Sequence, residues 1–236
     1  MKAVILAGGK GTRLGPYTKI LPKPLMPIGE MPVLEVIIRQ LKCQGIDEII
    51  LTVGHLAGIM KAFFGDGNQF GLKIRYSYED KPLGTAGPLA FVEGLDDTFL
   101  VLNGDVLTDL KIKDLLAFHK EQGATATIAM HHRTIKIDLG VILCNGGPKV
   151  VGYIEKPNYD YQVSMGIYVF EPCLLKYIEK GRYLDFPNLV HKLLGEAEKV
   201  VGFNFDGYWQ DLGRPDDYER AATDFDHQRE RFLTEN

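Results

Sequence analysis

The chain has 236 residues, of which 45% are hydrophobic and 25% are charged, and its formal net charge is -4. These values are ordinary for a globular protein, and they exclude a membrane-embedded or a disordered chain. A general nucleic-acid binder normally carries a basic excess, so the negative charge argues against one. The negative net charge is compatible with a small phosphorylated substrate, because a few local Lys and Arg are enough to bind it. At this length we favour one large domain over two small ones.

The cysteines and the start of the chain indicate a cytoplasmic protein. Cys43, Cys144 and Cys173 are widely spaced and form no CxxC pair, so we expect reduced thiols and no zinc or redox site. The first nine residues hold a short apolar run without a cleavage region, which favours a first strand over a signal peptide. The six histidines have no ligand spacing and suggest no competing metal site.

The first half of the chain alternates between buried strands and helices. Short runs rich in Val, Ile and Leu predict strands at residues 3–7, 48–53 and 98–102. Between and after them, apolar periodicity predicts helices at 32–44, 55–64 and 85–93, and a further strand at 73–78. Such alternation predicts an α/β fold with crossover helices and a mainly parallel sheet.

The second half is richer in strands, which we predict at residues 125–130, 140–143, 150–154 and 166–170, with a hairpin turn at 145–148. Helices are predicted at 172–179 and 186–194, and a last helix begins at Pro215. No linker separates the halves. We therefore predict a single domain over 1–236, with a nucleotide-binding half (1–123) and a substrate-side half (124–236).

A glycine-rich loop follows the first predicted strand. Its glycines allow backbone N–H groups to approach a phosphate, and a basic side chain at its end can neutralise charge. The loop lacks the GK[ST] of a Walker A motif, and Leu14 stands where a dinucleotide fingerprint needs glycine. Taken alone, it is equally well explained as a tight turn. The candidate nucleotide-binding residues here are Leu6, Ala7, Gly8, Gly9, Gly11, Thr12 and Arg13.

The next segment places Lys23 between Pro22 and Pro24, which stiffen the backbone on both sides. The pair GGxGTRL and PKPL resembles the signature of the sugar-1-phosphate nucleotidylyltransferases. The resemblance implies a Rossmann-like three-layer fold with a mixed, mainly parallel central sheet. It also implies catalytic roles for Arg13, on the triphosphate, and for Lys23, between the α-phosphate and the sugar phosphate. We expect both side chains in a solvent-reachable site.

The segment 82–87 resembles the loop that lies beneath the nucleobase in this family, which implies contacts from Pro82, Gly84 and Thr85 and a helix that begins facing the nucleotide. Glu79 precedes it, where related thymidylyl- and uridylyltransferases often have glutamine. A carboxylate only accepts hydrogen bonds, so it matches the two adjacent donors of guanine and favours GTP. The alternative is that Glu79 belongs to a solvated charge run with its neighbours.

Asn103-Gly104-Asp105 resembles the metal-binding element of the family, and the segment 209–218 resembles its closing motif. The resemblance implies that Asp105, a further catalytic residue, and Asp211 hold Mg²⁺, an ion that accepts a few hard oxygen ligands together with phosphate and water. An ordinary Asn-Gly-Asp turn is the alternative for the first element. We assign Trp209 to the core and not to base stacking.

The sugar side of the resemblance is carried by Gly140, by Glu155 and Lys156 in an EKP element, and by Gly166. It implies that Glu155 accepts hydrogen bonds from sugar hydroxyls and that Lys156 contacts the sugar phosphate. In the absence of the other family motifs, Glu155 and Lys156 would be interpreted as a solvated pair at a strand end. Ser164 stands near the position where the family usually has Asn, which puts the sugar contacts there in doubt.

The implied function is Mg²⁺-dependent transfer of a nucleotidyl group from an NTP, with GTP favoured, to a mannose- or heptose-like sugar 1-phosphate, giving an NDP-sugar and pyrophosphate. The alternatives are thymidylyl or uridylyl transfer, an enzyme that activates phosphocholine, and a catalytically silent sensor of NDP-sugars. We expect no nucleic-acid or membrane partner and no C-terminal β-helix acyltransferase domain. A homo-oligomer is compatible with the sequence.

Overall fold

The structure, a computed structural model, describes residues 1–233. It contains α-helices α1 (Val33–Cys43), α2 (Ala57–Phe64), α3 (Ile112–Gln122), α4 (Phe186–Gly195), α5 (Pro215–His227) and α6 (Arg229–Phe232). The strands are β1 (Lys2–Leu6), β2 (Pro27–Ile28), β3 (Met31–Pro32), β4 (Glu48–Val53), β5 (Lys73–Tyr78), β6 (Phe99–Asn103), β7 (Val106–Thr108), β8 (Ala126–Lys136), β9 (Val141–Cys144), β10 (Val150–Ile154), β11 (Asn158–Phe170), β12 (Val200–Phe205) and β13 (Trp209–Asp211).

One seven-stranded sheet, in the order β12-β8-β11-β6-β1-β4-β5, carries the fold. Strands β6, β1, β4 and β5 are mutually parallel, and β12 is parallel to β8. Strand β11 runs antiparallel to both of its neighbours. The sheet is therefore mixed and mainly parallel, as predicted, and it takes strands from both halves of the chain.

Hydrophobic packing on both faces of the sheet explains the apolar character of its central strands. On β1, Ala3 and Ile5 belong to a core cluster that includes residues of α1 and α5, whereas Val4 packs on the other face with Leu89 and Phe186. The alternation follows from the two-residue repeat of a strand. Helical segments thus cover each face, and the predicted three-layer α/β fold is confirmed.

The helix predicted at residues 85–93 is present only as a shorter 3₁₀ helix, Gly87–Phe91. Its hydrogen bonds span three residues, from the Leu89 N–H to the Ala86 carbonyl and from the Val92 N–H to the Leu89 carbonyl, which makes Gly87–Phe91 a 3₁₀ helix. The Ala86 and Gly87 N–H groups at its start donate to the Leu184 carbonyl. The helix predicted at 172–179 is likewise a 3₁₀ helix, Pro172–Tyr177.

The second half differs from the prediction mainly in the length of its strands. β8 and β11 continue well beyond the predicted runs, pair with each other, and carry the hairpin of β9 and β10 between them. The predicted turn at 145–148 does join these two strands. The elements that were not predicted include α3 and β12. Cys43, Cys144 and Cys173 are free and exposed. Within residues 1–233, no helix is long and apolar enough to cross a bilayer.

Candidate functional site

A cavity of about 410 Å³ opens where three parallel strands end. Leu6, in β1, is in register with Thr52 in β4 and with Asn103 in β6, so the carboxyl ends of these strands meet at one edge of the sheet. Ligands of open α/β sheets characteristically bind in such a crevice. The cavity is lined by Leu6, Ala7, Gly8, Gly9, Gly11, Arg13, Lys23, Pro24, Thr52, Glu79, Pro82, Leu83, Gly84, Thr85, Pro88, Asn103, Gly104, Asp105, Tyr183 and Asp185.

The glycine-rich loop is held tightly at both ends. The Ala7 N–H donates to the Thr52 carbonyl at 2.9 Å, and the hydroxyl of the buried Thr18 donates to the Gly11 carbonyl at 2.8 Å. A Cβ at Gly8 would lie only 2.5 Å from Oε1 of Glu79. A side chain at Gly8 would therefore displace the Glu79 carboxylate, which approaches the backbone directly.

Four charged residues of the predicted site lie together beside this loop. Lys23 forms an ion pair with Asp105, and the Lys23 side chain is only 11% exposed. Asp211 and Arg13 meet beside Gly213. A Cβ added to this glycine would lie 2.9 Å from Oδ1 of Asp211 and 3.4 Å from Nη2 of Arg13. Residues far apart in sequence thus form one cluster of two cations and two carboxylates. The expected solvent-reachable position holds for Arg13, which is exposed, but Lys23 is mostly buried.

A short pair of strands places Asp211 next to Asp105. β13 pairs antiparallel with β7, and the Leu212 N–H donates to the Asp105 carbonyl at 2.9 Å. Burial raises the pKa of Asp211, the negative charge of Asp105 raises it further, and Lys23 and Arg13 act in the opposite direction. Two carboxylates held in this way gain from a cation between them.

The donor set at this cluster fits Mg²⁺ better than a transition metal. Within the described residues there is no group of three or more His, Cys, Asp or Glu that could form a complete protein cage for a metal. Mg²⁺ is usually held by one or two carboxylates and completes its shell with water and substrate phosphates. Asp105 and Asp211 supply such a pair.

The loop 82–87 is fixed to the segment that precedes α4. Oδ1 of Asp185 accepts hydrogen bonds from the Thr85 N–H at 2.9 Å and the Thr85 hydroxyl at 3.3 Å, and Oδ2 accepts one from the Tyr183 hydroxyl at 2.7 Å. Gly84 has φ +80°, and a Cβ there would lie 2.5 Å from the Leu184 carbonyl oxygen. A side chain at Gly84 would therefore push the two segments apart.

Glu79 lies inside the cavity wall and does not belong to a solvated charge run. It is partly buried, whereas Asp80 and Lys81 are exposed. Its Oε2 accepts a hydrogen bond from the Leu83 N–H at 3.2 Å, and burial raises its pKa. The carboxylate is thus attached to the loop that is predicted to lie beneath the base.

The predicted sugar-side residues lie in two places. Gly166 packs against the side chain of Asn103, which lines the cavity. Gly140 packs against Tyr153, whose hydroxyl donates to Oε2 of Glu155 at 2.9 Å. Gly140, Glu155 and the exposed Lys156 lie at the base of the β9–β10 hairpin, and none of the three lines the cavity.

Sequence reasoning missed Thr52, Tyr183 and Asp185. Thr52 had a signal, because it is the one hydroxyl in the otherwise apolar run IILTV at the end of β4, whereas Tyr183 and Asp185 belong to no motif. Among the predicted nucleotide residues, Thr12 does not line the cavity. Trp209 packs against the core and donates its indole N–H to the Met165 carbonyl, as expected of a core residue.

A larger cavity, of about 900 Å³, lies on another face of the protein, between α1 and α6. None of the predicted site residues lines it. The smaller cavity is lined by the loops, the strand ends and three members of the charge cluster, Arg13, Lys23 and Asp105, and it is therefore the candidate site. Asp211 lies beside Asp105 but outside the set of residues that lines the cavity.

Comparisons with known proteins identify the family of this chain. Residues 2–228 match the family described as nucleotidyl transferase. A UTP–glucose-1-phosphate uridylyltransferase of Synechocystis sp. is 37% identical and a mannose-1-phosphate guanylyltransferase of Mycobacterium tuberculosis is 36% identical, each over 94% of this chain. The chain covers 62% and 64% of the length of these two relatives.

Solved structures show the same architecture. A Bacillus anthracis protein provisionally named glucose-1-phosphate thymidylyltransferase superposes with a TM-score of 0.76 at 27% identity, over 94% of both chains. HddC of Yersinia pseudotuberculosis, complexed with GMP-PN, superposes with a TM-score of 0.73 at 24% identity over 95% of this chain and 99% of its own, and that likeness supports the fold alone. The fold, the motif-lined cavity and the match over residues 2–228 together show that this chain belongs to the nucleotidyl transferase family.

Proposed function

We propose that the protein is a sugar-1-phosphate nucleotidylyltransferase, which transfers a nucleotidyl group from an NTP to a sugar 1-phosphate and releases pyrophosphate. The observation that carries the proposal is the cluster of Arg13, Lys23, Asp105 and Asp211 beside a glycine-rich loop. Joining two phosphates requires that their repulsion be neutralised, and this cluster supplies the cations and the metal-binding carboxylates at one place.

In the proposed reaction an oxygen of the sugar phosphate attacks the α-phosphorus of the NTP in line with the leaving group. The new O–Pα bond forms as the bond from Pα to the β-phosphate oxygen breaks, and pyrophosphate departs with that electron pair. The attacking oxygen is already anionic at neutral pH, so no general base is needed. Catalysis then rests on positioning and charge neutralisation, which accounts for a site of Arg, Lys and Asp without His.

Each charged residue has a separate part in this scheme. Arg13, exposed at the end of the glycine loop, binds the triphosphate, and the loop's backbone N–H groups bind phosphate oxygens. Lys23 leaves its ion pair with Asp105 to contact the α-phosphate and the sugar phosphate. Asp105 and Asp211 would hold Mg²⁺, which supplies further positive charge to the reacting phosphates when it is bound.

The choice of nucleotide rests on Glu79, because the two relatives at 36% and 37% identity are named for different bases. A partly buried carboxylate accepts hydrogen bonds only. It matches N1–H and the exocyclic amine of guanine, whereas uracil and thymine would turn carbonyl oxygens toward it. We therefore propose GTP as the nucleotide and a mannose- or heptose-like 1-phosphate as its partner.

The activity is tested with a panel of four NTPs against hexose, heptose and amino-sugar 1-phosphates, with pyrophosphate release as the readout. The proposal predicts release only when a sugar 1-phosphate, an NTP and Mg²⁺ are all present, and the fastest release with GTP. If the protein binds NDP-sugars but releases no pyrophosphate with any pair, it is a sensor and not an enzyme.

Glu79→Gln should shift the ratio of kcat/KM for GTP over dTTP toward dTTP by about tenfold or more, since a mismatched buried polar contact is worth roughly 1–3 kcal/mol. Glutamine can donate as well as accept and has nearly the same size. Steady-state kinetics of both proteins with both nucleotides measure the ratio. Asp80→Asn, on the exposed neighbour, is the matched control and should leave the ratio unchanged.

The proposed contact between the Glu79 carboxylate and guanine also predicts that nucleotide preference depends on pH. Burial raises the pKa of Glu79, so the carboxylate gains a proton at a higher pH than an exposed glutamate would. As the pH falls through that pKa, the preference for GTP should decline in the wild type and stay flat in Glu79→Gln. A wild-type preference for dTTP or UTP, or a ratio that the substitution leaves untouched, would refute the guanine assignment and leave the reaction class standing.

A further inference from the structure

One residue that lines the candidate cavity has a buried hydroxyl without a hydrogen-bond partner. Thr52 is 1% exposed, and its Oγ1 is the single buried side-chain polar atom without a partner among residues 1–233. The other buried threonine hydroxyls are all bonded: Thr18 to the Gly11 carbonyl, Thr108 to the Tyr208 carbonyl and Thr127 to His119. An unpaired buried hydroxyl is costly, and valine would fill the same space without that cost.

The position of Thr52 accounts for this exception. It is the second-last residue of β4, and its carbonyl binds the Ala7 N–H at the start of the glycine loop. Strand alternation puts its side chain on the same face as Ile50, which belongs to one core cluster with Ala86, in the loop 82–87, and Leu89, which follows that loop. Thr52 lines the cavity together with Glu79.

We infer that Thr52 is a specificity-determining residue whose hydroxyl donates a hydrogen bond to a carbonyl oxygen of the nucleobase. The inference rests on the proposed function and deepens it. Glu79 can only accept, so it cannot bond the base carbonyl, whereas a threonine hydroxyl can donate to it. For guanine the acceptor is O6. The Glu79 carboxylate then accepts from N1–H and the exocyclic amine, while the Thr52 hydroxyl donates to O6.

Thr52→Val tests the inference because its effects on stability and on binding have opposite signs. The variant should keep or raise the Tm, since it removes an unpaired buried polar atom. It should also lower kcat/KM for the preferred NTP by about 5- to 50-fold. The change should come from a higher KM for the NTP, with little change in kcat or in KM for the sugar phosphate. Thr52→Ser, which keeps the hydroxyl, should retain most of the nucleotide affinity.

Two comparisons separate base recognition from general damage. Thr127→Val removes an equally buried hydroxyl that is already bonded, so it should lower the Tm and leave the nucleotide KM unchanged. Replacing O6 of GTP by sulfur, a weaker acceptor, should weaken the substrate for the wild type but not for Thr52→Val. Discrimination between GTP and ITP, which lacks the exocyclic amine read by Glu79, should survive in Thr52→Val.

The outcomes distinguish this inference from the proposed function. If the wild type releases pyrophosphate but Thr52→Val keeps its nucleotide KM, or still discriminates against the thio-substituted nucleotide, the inference is wrong and the proposed reaction stands. If the enzyme prefers a pyrimidine, the same test runs with the 4-thio analogue of UTP, because O4 takes the place of O6. If no NTP supports pyrophosphate release, the proposed function itself fails.

Discussion

Lys23→Ala and Arg13→Ala should each lower kcat by about 10²- to 10³-fold, the range expected when a charge that stabilises a transition state is removed. Both side chains line the cavity, and both belong to the charge cluster that is proposed to neutralise the reacting phosphates. Pyrophosphate release at saturating substrates gives kcat, and Lys19→Ala, on an exposed lysine outside the cavity lining, is the control.

The two variants should differ in stability. The Lys23 side chain is mostly buried and paired with Asp105, so its removal leaves a partly buried carboxylate unpaired and should cost about 1–3 kcal/mol. Arg13 is exposed, and its loss should change the free energy of unfolding by less than about 0.5 kcal/mol. Urea unfolding measures both values. Wild-type turnover in either folded variant would remove that residue from the catalytic assignment.

Asp105→Asn and Asp211→Asn should each raise the Mg²⁺ concentration needed for half-maximal activity by about tenfold or more, because a sparsely liganded Mg²⁺ loses one of two charged ligands. Magnesium titrations of pyrophosphate release measure the effect. Asp97→Asn is the matched control, since Asp97 is exposed and precedes the other end of β6, the strand that leads to Asp105.

The unfolding of the same variants provides a second readout. Burial and the charge of Asp105 raise the pKa of Asp211, so in the absence of metal Asp211→Asn removes an unfavourable charge and should not destabilise the protein. If both variants keep the wild-type dependence on Mg²⁺, the two-aspartate site is wrong.

The parts of the fold that the sequence predicts are those with strong local signals. The apolar runs of β1, β4 and β6 and the periodic face of α1 are set by burial on the sheet, and their bounds agree within a residue or two. The segment 85–93 has helical composition, but the backbone at its start is bonded to the Leu184 carbonyl, nearly 100 residues away. Such a tertiary contact leaves no local pattern.

The same distinction holds within the site. The glycine loop, Lys23 and Asp105 are recognisable because each lies in a short local motif, GGxGTRL, PKPL or Asn103-Gly104-Asp105. Asp185 and Thr85 are brought together only by folding. That the Thr52 hydroxyl has no hydrogen-bond partner can be recognised only when its neighbours in the structure are known. The sugar-side assignments of Gly140, Glu155 and Lys156 stay predictions.

The central claim is that the α-phosphorus of an NTP is the centre of reaction, and isotopic labelling tests it most directly. The protein is incubated with Mg²⁺, a sugar 1-phosphate and its preferred NTP, labelled with ³²P at either the α or the γ position. The account predicts that the α label appears in an NDP-sugar and the γ label in pyrophosphate. Transfer of the γ label to the sugar phosphate, or release of the α label as a free nucleoside monophosphate without an NDP-sugar, would contradict it.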